Sequence, residues 1–358
     1  MPVETASPPP PPGRPGRSRH EAIMLRRWIV ATVSVLAVVV GGVVVTKSVL
    51  AEPDTRSVAE TGADETAPAS PGTTQGASPS AEPTGLSSTK VPVASSPPAK
   101  ATLPGWPGPG NTGVPQGTTL KRSGSILVTR DNTVIDSLEV RGCIQIEARH
   151  ITIKRSRIIG SCARGTIGTP LNKDYPRDNV VIEDTEVDGD RKSFDFPAIA
   201  YDGFTCRRCN VHGAGTGARL GDRVLIIDSY IHDSNTGEGS HNAAVAGHGD
   251  FDVTLVHNWL ECHSIGYCSS SVSFYSEGTP VHDVLVEGNH FSGGAYCLYA
   301  GATEKAAINI KVRNNIFGTS FQPRCGAYGP AAHWEYNSGN EWSGNRYGST
   351  GGAAVPAP

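Results

Sequence analysis

From about residue 130 onward the chain alternates apolar and polar residues in short stretches. Each stretch ends on one signature: a Ser, Thr, Cys or Asn, then a variable residue, then an apolar one. The copies are VIDSLEV, ITIKRSRI, VVIEDTEV, TCRRCNV, LIIDSYI, TLVHNWL, LVEGNHF and KVRNNIF, and GNRY closes the series. Their marker residues are Ser137, Ser156, Thr185, Cys209, Ser229, Asn258, Asn289, Asn315 and Asn345, spaced 19 to 31 residues apart.

A period of two predicts strands, and a fixed repeat of this length is that of one coil of a solenoid. A second short strand is visible in many coils, as CIQIEA, PAIAY, AAVA, VSFY and CLYA. Long helical periodicity is absent. The expected fold is therefore all-β: a single-stranded right-handed parallel β-helix of about eight coils over residues 117–348. Its markers should stack as a ladder at an inward corner, with Val187, Val211, Ile231, Leu260, Phe291 and Phe317 stacked two residues beyond. A sandwich of hairpins would instead need turn dipeptides roughly every 8 to 12 residues and no fixed marker.

The cysteines fit this register. Cys143 and Cys162 each lie six residues after a marker, so they occupy the same site in neighbouring coils. Parallel strands about 4.8 Å apart put such a pair within the roughly 4.4 to 6.8 Å Cα separation of a disulfide. Cys297 with Cys325, Cys206 with Cys209 and Cys262 with Cys268 complete four sequence-adjacent pairs, although spacing alone does not fix connectivity. Cys206-Arg-Arg-Cys209 could also be half a zinc site or a redox dithiol, but no second CxxC accompanies it.

Register also sorts the polar residues. The position three beyond the marker reads Asp188, His212, His232 and Glu261 in four successive coils, then Ser292 and Gly318. It follows the inward apolar residue and should point outward. Asp188 and Glu261, three rises apart at about 14 Å, are too distant for paired glycosidase carboxylates, which need roughly 5 to 9.5 Å. Lyase chemistry on a uronate polysaccharide needs a base to take the proton beside the carboxylate and a cation to neutralise that carboxylate. His212, His232 or His241 would be the base, and Arg219, or Arg191 with Lys192, the clamp. Ordinary polar surface is the alternative reading of the same column.

The N-terminal third has another character. An uncharged apolar run of nineteen residues opens at Trp28 and closes at Thr46, preceded by Arg14, Arg17, Arg19, Arg26 and Arg27. It is just long enough to span a membrane, and the arginines place the N-terminus in the cytoplasm. The expected order is a basic, Pro-rich cytoplasmic tail (1–27), a transmembrane helix or uncleaved signal anchor (28–50), a disordered Pro/Ser/Thr-rich linker (51–116), the extracellular β-helix, and a flexible tail (349–358). The alternative is secretion after signal cleavage near Ala51.

A net charge of −3 argues against nucleic acid as partner. No cofactor is indicated. Calcium lacks an Asp-rich DxDxDG loop, and the spacings of His232, His241 and His248 match no zinc-ligand pattern. A monomer meeting a polysaccharide or cell-wall glycan is the expected partnership.

The stretch from about Gly117 to Gly348 resembles exported right-handed parallel β-helix repeat proteins of actinobacteria, within the wider pectate-lyase-like group. The segments that carry the resemblance are RVLIIDSYIHDSNTGEGSHNAAVAGHGDFDVTLVHNWLE, VLVEGNHFSGGAYCLYAG and IKVRNNIFG. The resemblance implies the fold and export. That group includes lyases, hydrolases and epimerases. Many such sequences have His-Asn/Thr-Asp-Ala/Gly-Ile/Val-Gln where this chain has His241-Asn242-Ala243-Ala244-Val245-Ala246. The acid and the amide are missing, which implies an impaired or binding-only site. The functions left open are a polysaccharide lyase, a glycan-binding module using Trp259, Tyr267, Tyr275, Tyr296 and Tyr299, and a stalked structural or adhesive protein.

Overall fold

The computed structural model describes residues 105–358 except 172, 173, 250, 264–266 and 338. The apolar run from Trp28 to Thr46, the tail before it and most of the linker lie outside those residues. Among the described residues no helix is long and apolar enough to cross a membrane.

Three parallel sheets build the molecule, one of ten strands (sheet A) and two of nine (sheets B and C). Each strand pairs with its equivalent one coil earlier and one coil later, so the chain visits the three sheets in turn. Nine full coils and one additional strand result, where the repeat predicts about eight. The difference is the opening coil, Lys121–Ser123, Ile126–Val128 and Val134–Asp136, which precedes the first marker and has no signature to betray it.

Sheet C holds the alternating strands, such as Ile151–Lys154, Val180–Glu183 and Val224–Ile227. In them Ile151, Ile153, Val180, Ile182, Val224 and Ile226 are fully buried. Sheet A begins one residue after each marker, and there Val187, Val211, Ile231, Leu260, Phe291 and Phe317 lie in register one above another. Sheet B takes the second short strands, among them Pro197–Tyr201, Asn242–His248, Cys268–Tyr275 and Tyr296–Gly301.

The turn from sheet C to sheet A explains the marker. The residue before it is left-handed at Arg155, Asp184, Arg208, Asp228, His257, Gly288, Asn314 and Gly344, with φ between 48° and 65°. That bend turns the marker side chain inward, where it must find partners. It finds them in the neighbouring coils: Asn258 Nδ2 donates to Asn289 Oδ1 (2.9 Å), Asn289 Nδ2 to Asn315 Oδ1 (3.1 Å) and Asn315 Nδ2 to Asn345 Oδ1 (3.0 Å). Each of those oxygens also accepts the backbone N–H of the marker one coil below. Ser229 continues the series with its Oγ accepting from Cys209 N (3.1 Å).

All eight cysteines are paired, as Cys143–Cys162, Cys206–Cys209, Cys262–Cys268 and Cys297–Cys325. The first and last staple neighbouring coils. Four disulfides belong to a chain that matures in an oxidising, extracellular-type compartment.

Two segments that composition assigns to linker and tail are seated on the solenoid. Residues 105–113 lie across the outer face of sheet A: Gly113 N donates to Arg208 O (2.8 Å), and the Trp106 ring stacks on His257. Gly113 has φ 77°, and a Cβ there would come within 2.9 Å of the Asn210 Cβ, so only glycine permits this approach. At the other end Val355 is buried, and its N–H donates to Asn345 O (2.9 Å).

Candidate functional site

Strand alternation on sheet A gives two outward columns, one and three residues beyond each marker. The second is the column Asp188, His212, His232 and Glu261. The first, Glu186, Asn210, Tyr230, Trp259 and His290, stands beside it in register. Its signal was in the sequence, because residues two apart on a strand share a face.

At the N-terminal end of this face His212 Nε2 lies 3.3 Å from Glu186 Oε1, and its Nδ1 lies 3.7 Å from Asp188 Oδ1. Burial pushes the Glu186 carboxyl upward, but hydrogen bonds from His212 and Arg157 outweigh it and hold the group below its usual range. The His212 and His232 rings are 5.3 Å apart. His232 is stacked on Tyr230 at 3.9 Å, with Nδ1 2.8 Å from Asp233 Oδ2 and Nε2 2.9 Å from Asn210 Oδ1. Burial lowers the His232 pKa, against the pull of Asp233. Both ring nitrogens thus already face oxygen, and a base role would require one of them to be released.

Glu261 sits deeper. Only 3% exposed, it accepts hydrogen bonds from Trp259 Nε1 (2.5 Å) and from Tyr230, and His263 Nε2 lies 3.2 Å away. Tyr230 is pushed well above the ordinary phenol range, first by burial and then by Glu261. The outward direction expected for Glu261 and Ser292 holds for their strand, but neither reaches solvent. His263 stacks under Phe321, on the loop that Cys325 ties to Cys297. Trp106 covers the far side, edge-on to Trp259 (6.2 Å) and His290 (5.6 Å).

Sheet A therefore brings Asp188, His212, His232 and Glu261 into one column. Arg219 and His241 fall elsewhere. Arg219 lies in sheet B, in register with Ala200 and Ala246, and its Nε is buried with no hydrogen-bond partner among the described residues. His241 is exposed, immediately before the sheet B strand Asn242–His248. Among the described residues no group of three or more His, Cys, Asp or Glu side chains is placed to hold a metal.

Sheet B carries a second constellation. From Arg219 the outward column runs through Ala246 and Ser273 to Tyr299. Around Tyr299 the rings form a continuous row: His248 to Tyr275 (5.2 Å), Tyr275 to Tyr299 (5.4 Å) and Tyr299 to His333 (5.4 Å). Tyr296 and Tyr328 extend it sideways, at 5.5 and 6.0 Å between centroids. His248, His333 and Tyr328 are exposed and the other three half-buried. Burial raises the Tyr275 phenol to about 12. Of the aromatics singled out as glycan contacts, Tyr275, Tyr296 and Tyr299 meet here. Trp259 lies under Trp106 on sheet A, and Tyr267 stands exposed before the strand Cys268–Tyr275. Compared with known proteins, the chain matches no family model, no curated protein and no solved structure.

Proposed function

We propose that the protein binds extracellular polysaccharide along the outer face of sheet B. The observation that carries this reading is the ring row from His248 through Tyr275 and Tyr299 to His333, which crosses four successive coils. Tyrosine rings offer rigid, apolar faces with a polar edge, suited to the C–H faces and hydroxyls of sugar rings, and they lose little entropy on contact. The four disulfides support an extracellular setting. The apolar run from Trp28 to Thr46 is taken as the anchor and the Pro/Ser/Thr-rich linker as a stalk. The inward Asn ladder supports kinship with exported parallel β-helix proteins, and the coil is taken as right-handed, as parallel crossovers almost always are.

Arg219, at the head of the Tyr299 column, favours a uronate-containing polymer, because a guanidinium pairs with a sugar carboxylate. The same residue supports the second reading, a uronate lyase with Arg219 as clamp. Both are tested by incubating the protein with uronate and neutral polysaccharides while following retention in affinity gels, unsaturated-product absorbance and reducing ends. Retention by a polyuronate, weakened about tenfold in Tyr299→Ala and in Arg219→Ala, is expected. Unchanged retention in both variants would remove the sheet B reading, and release of unsaturated product would move the protein to the lyase class.

A further inference from the structure

The last coil ends in a cavity of about 480 Å³, remote in sequence from the ring row's core and lined partly by the loop between the strands Gly329–Ala332 and Glu341–Ser343. Its walls are aromatic. Trp334 meets Trp342 at 5.4 Å and 70°, and meets Tyr336 at 6.5 Å and 89°, so the rings form corners rather than a stack. Trp342 is held by its Nε1, which donates to Val355 O (2.8 Å), and by contact with Phe317. Asn340 is wholly engaged with backbone, donating to Ala307 O and Glu335 O and accepting from Ile310 N.

Asn337 is different. Its Nδ2 donates to Ala307 O (2.9 Å), but its Oδ1 is buried with no partner among the described residues. A buried acceptor left unmade costs about 1 to 3 kcal/mol, and a ligand hydroxyl would relieve that. Glu335 adds a carboxylate to the lining, with Oε2 accepting from Ala307 N (2.7 Å), and no Lys, Arg or His lines the cavity. An anionic ligand is thereby disfavoured. A quaternary ammonium would suit aromatic walls and a carboxylate, but it has no donor for the Asn337 oxygen.

We infer that this end cavity is a second binding site, taking a neutral sugar unit whose C–H face meets the rings of Trp334 and Tyr336 and whose hydroxyl donates to Asn337 Oδ1. The inference stands independently of the sheet B reading, since it concerns other residues and an uncharged ligand.

The test is titration of the full chain with neutral gluco-, galacto- and manno-oligosaccharides, an oligouronate and choline, followed by tryptophan fluorescence. A saturable response to at least one neutral sugar is expected, weakened about tenfold in Tyr336→Ala and in Asn337→Leu and unaltered in Tyr299→Ala. Tyr336 is 75% exposed, so its removal spares the fold and decides the matter even where Asn337→Leu fails to fold. The inference is overturned by no response to any neutral sugar, by saturation with choline or the oligouronate alone, or by an undiminished response in Tyr336→Ala.

Discussion

The outer faces of sheets A and B are built on the same coils and both carry histidines and aromatic rings, yet they have been put to opposite uses. On sheet A the polar groups turn to one another: His232 bridges Asp233 and Asn210, Glu261 takes Trp259 and Tyr230, and Trp106 closes the top. On sheet B the rings meet edge and face along the solenoid axis, and several remain exposed. Chemistry-bearing residue types alone do not mark a site. What separates the faces is whether the side chains have spent their hydrogen bonds on each other.

The sharpest way to break the comparison is to remove the frame both faces share. Asn289→Ala deletes an oxygen that two Asn258 N–H groups use and a donor to Leu255 O, all in the buried interior. A loss of about 3 to 5 kcal/mol is expected, read as a lowered urea midpoint, with sheet A and sheet B probes unfolding together. Separate transitions would mean that the faces are held independently.

A smaller effect should belong to sheet A alone. Burial holds His290 at about 4 against an ordinary 6.5, although Glu261 pulls it up. The native state keeps the neutral ring while the unfolded chain takes a proton near pH 6.5. Stability is therefore full above that pH and is lost as pH falls from about 6.5 towards 4, by about 3 kcal/mol or less, with lowered His232 acting in the same direction. Urea unfolding between pH 7.5 and 4.5 should show this slope, and His290→Phe should flatten it. An unchanged slope in that variant would assign it elsewhere.

Next comes the strap. Trp106→Ala should cost about 2 kcal/mol, less than a fully buried Trp because the ring is only half-buried. Faster hydrogen exchange is expected over residues 105–113 and around Trp259, with sheet B unchanged. The smallest stability effect is expected from Tyr328→Ala, within about 0.5 kcal/mol, since that ring is 68% exposed. If it lowers the thermal midpoint by many degrees, the sheet B row is structural and the contrast between the faces collapses.

Much of the frame was legible before any coordinates. The marker at Asn258, Asn289, Asn315 and Asn345 is a residue type that can donate and accept at one inward corner, and the apolar residue two beyond follows from strand parity. Cys143 and Cys162 could be paired by their equal offset. The candidate site was legible only in part. Parity put His212 and His232 in one column, but their partners Glu186 and Asn210 sit two residues earlier on the same face and were not sought there. The roof over Glu261 was hidden for another reason: Trp106 lies in a WPGPGNTG stretch whose composition is that of a linker, and its seat depends on contacts about 150 residues away. Arg219 and His241 shared coils with the histidine column but belong to a different sheet, a distinction that depends on where each turn falls.

Because every strand pairs only with its equivalents one coil away, the molecule has no contact that counts how many coils it contains. Removing or duplicating one stretch from marker to marker would shift everything beyond it by about 4.8 Å and leave each remaining interface as it was. The length of polymer that the ring row can engage is therefore set by copy number, and such a surface can evolve by whole-coil gain and loss long before any single side chain is redesigned.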